Sequence, residues 1–123
     1  IERFRAVRPD IALSGDFIVG FPGETEAEFQ DTLNIVDEVR YAACFSFKYS
    51  PRPGTPAATM EGQIAPEIMD ERLQRLQRRI GVHQYAFNQA SVGKTCEVLV
   101  ERNGRHPGQW LGKSPWLQSV HFE

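Results

Sequence analysis

Residues 16–49 read as strand, helix, strand, and no other feature limits the fold as strongly. The stretch Asp16-Phe17-Ile18-Val19-Gly20-Phe21-Pro22-Gly23-Glu24-Thr25 opens as an apolar run and breaks at two glycines. A short run so bounded suits a strand buried on both faces of a parallel sheet. Thr25 and Glu28 have capping-box spacing, in which each side chain satisfies a free N–H of the first helical turn. Phe29, Leu33, Val36 and Arg40 then fall on one line, with Ile35 and Val39 widening the stripe, which predicts an amphipathic helix of about four turns. Cys44-Phe45-Ser46-Phe47-Lys48-Tyr49 alternates and is rich in aromatics, the pattern of a strand. A helical connection between two strands is the βαβ unit, so the strands should be parallel with a right-handed crossover.

On either side the pattern changes. Ile1, Phe4 and Arg5 have helical spacing, and Pro9 ends that run at Arg8. The run starts at Ile1 with no capping residue before it, so the chain is expected to be a piece of a longer protein. Ser50 to Ala58 carries three prolines and a glycine and reads as a rigid loop. Pro66 suits the first position of a long helix whose stripe is Met69, Leu73, Leu76, Ile80, His83 and Phe87, weakened slightly by Gly81. Arg72, Arg75, Arg78 and Arg79 sit among acids on that helix. They read as a solvated face with i,i+4 pairs such as Glu71–Arg75 in preference to a basic ridge facing RNA. From Thr95 to Val100 the period becomes two, a strand. Asn103-Gly104 and Pro107-Gly108 mark a turn, Gln109 to Lys113 a returning strand, and Ser114 to Glu123 a turn into another. Such a short antiparallel run covers no sheet face by itself, so this end too is expected to continue in the intact protein.

The loop from Gly20 to Gly23 has the outline of an anion-binding turn, because free N–H groups and the helix dipole attract negative charge. Its chemistry argues otherwise. Glu24, Glu26 and Glu28 crowd the helix start, no Lys or Arg lies in the loop, and neither GxxxxGK[ST] nor GxGxxG is present. A triphosphate or dinucleotide is therefore not expected. Two readings stay open: a flat neutral group such as adenine approaching at the glycines, or glycines that only make a tight turn. The formal net charge of −2 over 123 residues gives no overall basic footprint, though it permits a local one. Cys44 and Cys96 form no CxxC and no metal-ligand cluster, and read as buried thiols in a reducing compartment. No apolar run approaches the roughly 20 residues that span a bilayer, and no secretory signal opens the chain, which points to the cytoplasm.

The segment SGDFIVGFPGETEAEFQDTLNIVDEVRYAACFSFKYSPRPGTPAA resembles the later half of the radical-SAM domain of the methylthiotransferases. VGKTCEVLVERNGRHPGQWLGKSPWLQSVHF resembles the start of the TRAM domain that follows it in that family. FIVGFPGET alone is shared by several radical-SAM groups. FSFKYSPRPGTPAA together with LGKSPWLQSVHF is narrower and resembles the branch that adds a methylthio group to isopentenyl-adenosine next to the tRNA anticodon. Alternatives within the family act on threonylcarbamoyl-adenosine in tRNA or on ribosomal protein S12. A non-enzymatic RNA-binding module built on the TRAM piece is a further alternative.

The resemblance implies an α/β fold. Residues 1–90 would be the end of a partial parallel β/α barrel, and residues 91–123 the opening of an antiparallel, OB-like TRAM barrel. It implies S-adenosylmethionine and two 4Fe-4S clusters in the full-length enzyme, one of which cleaves S-adenosylmethionine to a 5′-deoxyadenosyl radical. Cys44 and Cys96 match none of the six cluster cysteines, so no metal ligand and no catalytic residue is carried over, and the chain by itself should be inactive. The family places a loose Gly-x-Ile-x-Gly-like motif near the adenine. Asp16, Ile18 and Gly20 correspond to it, with Asp16 standing where the motif often has glycine. Pro51, Arg52 and Gly54 end the next strand, on the face where β/α sites lie. Arg52 reads either as a contact to a substrate or cofactor anion or as one half of a surface salt bridge. Arg102, Lys113 and Trp116 are the implied contacts to the tRNA anticodon loop, through phosphates and base stacking. Trp110 is expected in the core and Trp116 exposed in a turn. The resemblance names no sulfur donor and no membrane partner.

Overall fold

The computed structural model describes residues 1–123. In chain order the elements are α1 (Glu2–Val7), β1 (Ser14–Val19), α2 (Glu26–Val39), β2 (Ala43–Lys48), a 3-10 turn (Pro56–Thr59), α3 (Pro66–Ser91), β3 (Leu99–Asn103), β4 (Trp110–Lys113) and β5 (Ser119–Phe122). β1 and β2 pair in parallel, from Ser14 opposite Ala43 to Val19 opposite Lys48. β3, β4 and β5 form a separate antiparallel sheet in that order. The fold is thus α/β with one two-stranded and one three-stranded sheet. Neither sheet closes into a barrel, since so few strands cannot curl back to pair first with last.

The capping box is present as read. Thr25 N–H donates to Glu28 Oε2 at 2.7 Å, and Glu28 N–H donates to Thr25 Oγ1 at 3.2 Å. At the other end of α2, Arg40 turns left-handed (φ 51°), and an Arg5 guanidinium nitrogen donates to the Val39 carbonyl. That contact ties α1 to an otherwise unsatisfied helix end. Pro66 occupies the first turn of α3 as its missing N–H allows, and Gly81 leaves the helix unbroken.

One core forms where α2 and α3 cover one face of the parallel sheet. Val19, Phe29, Leu33, Val36, Leu76 and Ile80 are its buried members, with Phe17, Tyr41, Cys44 and Leu73 packed against them. Ile35, expected in the stripe, is 39% exposed, because it lies at the border of the face that meets the sheet. The first strand was expected to be covered on both faces; the helices lie on one side only. Phe17 and Val19 point to the core, while Ile18, Phe45 and Phe47 are left exposed on the other.

Arg72 and Arg75 depart from the expected solvated face of α3, while Arg78 and Arg79 stay exposed on it. Arg72 is buried and pairs with Glu24; Arg75 meets Glu26 at 2.8 Å, and Arg79 meets Asp37 at 2.6 Å. The i,i+4 contact of Arg75 with Glu71 is a looser 3.5 Å. Most of these charges join α3 to the α2 segment, since a long side chain on a helix edge reaches the neighbouring helix as easily as its own next turn. Arg75 and Arg72 also lie over the Phe29 ring, 4.9 and 5.6 Å from its centroid.

Three further readings are adjusted. The proline-rich loop contains the 3-10 turn. β3 begins at Leu99 and not at Thr95, because only from Leu99 does β4 supply a partner. Trp110 is 46% exposed while Trp116 is half-buried, the reverse of the expectation. The Trp116 indole N–H donates to Asp10 at 3.4 Å, and Lys94 Nζ lies 5.6 Å from its ring centroid, so the turn folds back onto neighbouring segments.

Two stability outcomes follow from this packing. Leu76→Ala should cost about 2–5 kcal/mol in denaturant unfolding, whereas Ile35→Ala should stay within about 1 kcal/mol. Leu117 sits at φ 69°, a backbone region unfavourable for a bulky side chain, so Leu117→Gly should raise stability by about 1 kcal/mol. A third outcome concerns pH. The backbone N–H and then the hydroxyl of Thr25 hold the Glu28 carboxyl below its ordinary range. The folded state therefore releases that proton more readily than the unfolded chain. The contribution is complete above the ordinary carboxylate range and is lost as pH falls through the lowered value. Glu28→Gln should flatten this acid-side slope in a pH series of thermal melts.

Candidate functional site

The uncovered face of the parallel sheet is the floor of an open trough of about 830 Å³. Its formation follows from the register. In a parallel pair, residues opposite each other share a face, so Asp16 lies beside Phe45 and Ile18 beside Phe47. Beyond the strand ends, Phe21, Tyr49, Arg52 and Thr55 complete the rim. Phe21 and Tyr49 meet edge to face with centroids 5.4 Å apart. The Tyr49 backbone N–H donates to the Val19 carbonyl at 2.8 Å, which extends the ladder by one residue, while its buried hydroxyl has no hydrogen-bond partner. The volume lies within the range of small-molecule clefts, and the position, at the carboxyl ends of parallel strands, is where α/β folds bind ligands.

Of the residues selected from sequence, Asp16, Ile18 and Arg52 come together in this trough, while Gly20, Pro51 and Gly54 are not among its lining residues. Arg52 makes no ion pair, so the surface salt bridge weighed for it is not formed; its carbonyl instead accepts from the Thr55 hydroxyl at 2.8 Å. The aromatic wall of Phe21, Phe45, Phe47 and Tyr49 was missed. The alternation of Cys44 to Tyr49 carried the signal, but it was used only to place a strand.

Gly20 is buried at φ 75°, and a Cβ there would stand 2.3 Å from Met69 Cγ. Its N–H donates to Glu24 Oε2 at 2.8 Å. The same carboxylate oxygen accepts from Arg72 Nη1 at 2.7 Å, and that nitrogen also donates to the Glu24 carbonyl at 2.9 Å. Gly23 N–H donates to the Gly62 carbonyl at 2.9 Å, which docks the proline-rich segment onto the turn. The anion site that a glycine turn offers is thus filled by the chain's own carboxylate. What remains beside it is an apolar, aromatic trough with one acid at the floor and one unpaired cation at the rim, suited to a flat and mostly neutral ligand.

Metal chemistry finds no footing among these side chains. No group of three or more His, Cys, Asp or Glu comes together. Cys44 lies on the helix side of β2, where burial pushes its thiol up and so disfavours the thiolate a metal needs; Cys96 is a separate free thiol before β3. The residues present do not fit an iron–sulfur cluster. No helix is long and apolar enough to cross a membrane.

In the antiparallel sheet, Arg102 pairs with Leu111, and Lys113 pairs with Leu99 and Ser119. Leu111 and Lys113 are two apart on β4, so Arg102 and Lys113 share one face. Lys113 Nζ donates to Ser119 Oγ at 2.7 Å. Trp110 lies on the opposite face, across from Phe122, and Trp116 sits in the β4–β5 turn.

No protein-family model matches the chain. It is 78% identical over all 123 residues to the tRNA-2-methylthio-N(6)-dimethylallyladenosine synthase of Erythrobacter litoralis. It is 76% identical over 122 residues to the protein of that name from Novosphingobium aromaticivorans, and 60% identical over 123 residues to that of Zymomonas mobilis. The chain spans about 28% of the length of each of these relatives. The resemblance carried by its motifs is therefore to the tRNA-2-methylthio-N(6)-dimethylallyladenosine synthases, a segment of which the chain matches over its whole length.

Proposed function

We propose that this chain is part of a tRNA-modifying radical-SAM enzyme that adds a methylthio group to C2 of N6-isopentenyladenosine next to the anticodon. The 78% identity over the full chain to a synthase of that name is the observation that carries the reading. On this reading residues 1–90 end the radical-SAM barrel, residues 91–123 open the TRAM barrel, and the enzyme works in the cytoplasm. Both uncovered sheets would meet strands contributed from outside these residues.

The trough would take the adenosyl part of S-adenosylmethionine. An aromatic and aliphatic wall fits adenine, and the self-filled turn leaves no site for a phosphate. S-adenosylmethionine, when bound, supplies the radical chemistry directed at the C2–H. The two 4Fe-4S clusters would be held by cysteines outside this chain. Ile18, Phe45 and Phe47 exclude water from the bound ring, and Asp16 accepts a hydrogen bond from an amino or hydroxyl group of the nucleoside. Arg52 faces a carboxylate, with Pro51 and Gly54 shaping the loop that carries it and Gly20 the turn across from it. Arg102 and Lys113 contact phosphates of the anticodon loop, and Trp116, in the turn after β4, offers its ring to a base.

The test is an anaerobic assay of the full-length enzyme with tRNA bearing isopentenyladenosine, followed by mass analysis of its nucleosides. A gain of one methylthio group is expected; an unchanged nucleoside with intact clusters would overturn the proposal. Phe45→Ala and Phe47→Ala should each weaken S-adenosylmethionine binding by up to about 1.5–3 kcal/mol, the value of one fully buried aromatic, as read by equilibrium binding. In tRNA affinity across a salt series, Arg102→Ala and Lys113→Ala should each lower the slope by about one. Trp116→Ala should cost about 1–3 kcal/mol of tRNA affinity if a base stacks on it. Affinity that is insensitive to all three substitutions removes the RNA role from this sheet.

A further inference from the structure

Glu24 and Arg72 form the most buried ion pair in the molecule, their side chains 11% and 7% exposed. The pair lies directly under the turn that closes one end of the trough. One carboxylate oxygen of Glu24 accepts from both the Gly20 N–H and Arg72 Nη1. Arg72 Nη1 also donates to the Glu24 carbonyl, so the guanidinium grips both the side chain and the backbone of the residue that holds Gly20. Arg72 Nε is buried without a hydrogen bond and lies 3.6 Å from Glu26 Oε2. A pair formed only for stability is readily replaced by apolar side chains, because desolvation consumes much of its attraction. This one performs a geometric task that apolar groups cannot: it supplies the acceptor for a backbone N–H at φ 75°, one residue before trough-lining Phe21.

We propose that Glu24 and Arg72 are positioning residues for the ligand end of the trough. Neither lines the trough. Glu24 fixes Gly20 and, through it, the Phe21 ring against Tyr49, and Arg72 fixes Glu24 from α3. The carboxylate also occupies the place where an anion would otherwise bind, so the turn admits a neutral ring and rejects phosphate. The inference rests on the reading that the trough takes the adenosyl group of S-adenosylmethionine.

The test uses the full-length, anaerobically reconstituted enzyme and two readouts, equilibrium binding of S-adenosylmethionine and thermal melting. Glu24→Ala and Arg72→Ala should each weaken binding about tenfold and lower the melting temperature, since the first leaves the buried Arg72 only its looser contact to Glu26 and the second leaves the Glu24 carboxylate without its cation. The double variant Glu24→Ala/Arg72→Ala should recover much of the melting temperature, because no unpaired charge remains. Its binding should stay weak, because Gly20 still lacks its acceptor. Glu24→Gln keeps an acceptor oxygen in place and should bind within about threefold of the unsubstituted enzyme. Affinity that returns together with the melting temperature in the double variant would make the pair merely structural and overturn the inference. So would single variants that bind like the unsubstituted enzyme, or a Glu24→Gln variant as weak as Glu24→Ala. An unsubstituted enzyme that binds no S-adenosylmethionine overturns the ligand reading and this inference with it; the other outcomes overturn the inference alone.

Discussion

Arg72 reaching from α3 to Glu24 is the contact on which the α/β part depends. A guanidinium so buried is tolerated only with a partner, and the partner lies in the turn between β1 and α2. The contact fixes where α3 crosses α2, and thereby which side chains fill the space between them. Phe29, Leu76 and Ile80 belong to the core between those elements. Arg75 and Arg79 repeat the connection along the helix, to Glu26 and Asp37, and His83 Nε2 lies 2.7 Å from the same Asp37 carboxylate. Exposed pairs of this kind contribute little each, while the buried pair sets the geometry the others follow.

With both helices drawn to one side, the other face of the sheet is left to solvent. Isolated exposed hydrophobics are ordinary, but Ile18, Phe45 and Phe47 are adjacent and share a wall with Phe21. Contiguity is what makes an apolar surface informative. It matches the demand of an adenosyl ligand for a flat apolar bed and the demand of a barrel for inward-facing side chains, and both belong to the same proposed site.

At its other end α3 carries the antiparallel sheet. Gln118 Nε2 donates to Asn88 Oδ1 at 2.8 Å and to Ser91 Oγ at 3.0 Å, so the β4–β5 turn is attached to the last turns of the helix. Ser114 anchors the same turn, its hydroxyl accepting from the backbone N–H groups of Trp116 and Gln118. Trp116 is therefore engaged with Asp10 and Lys94 in the folded chain, while Trp110 presents more open surface. Any role of Trp116 toward RNA is combined with this internal one.

Local chemistry determined a good deal. The capping box, Pro66 at the first turn of α3, the parallel pairing of the two strands and the turns around Gly104 and Gly108 depend on groups a few residues apart, and they were readable from residue type and spacing. So was the crowding of acids at the glycine turn, since they are neighbours in sequence, and one of them, Glu24, accepts from the Gly20 N–H. The motifs that resemble a family selected Asp16, Ile18 and Arg52, which do meet in the trough. Tertiary structure alone decided what required distant partners. Periodicity says that Ile18 and Val19 face opposite ways, but not that helices would cover only one side, so the aromatic wall stayed hidden. Arg72 differs in no local respect from Arg75 or Arg79, and only the crossing of α3 over the turn buries it against Glu24. The strand expected from Thr95 had the right alternation but no partner before Leu99, because a strand is completed by hydrogen bonds from another segment and its own residues cannot supply them.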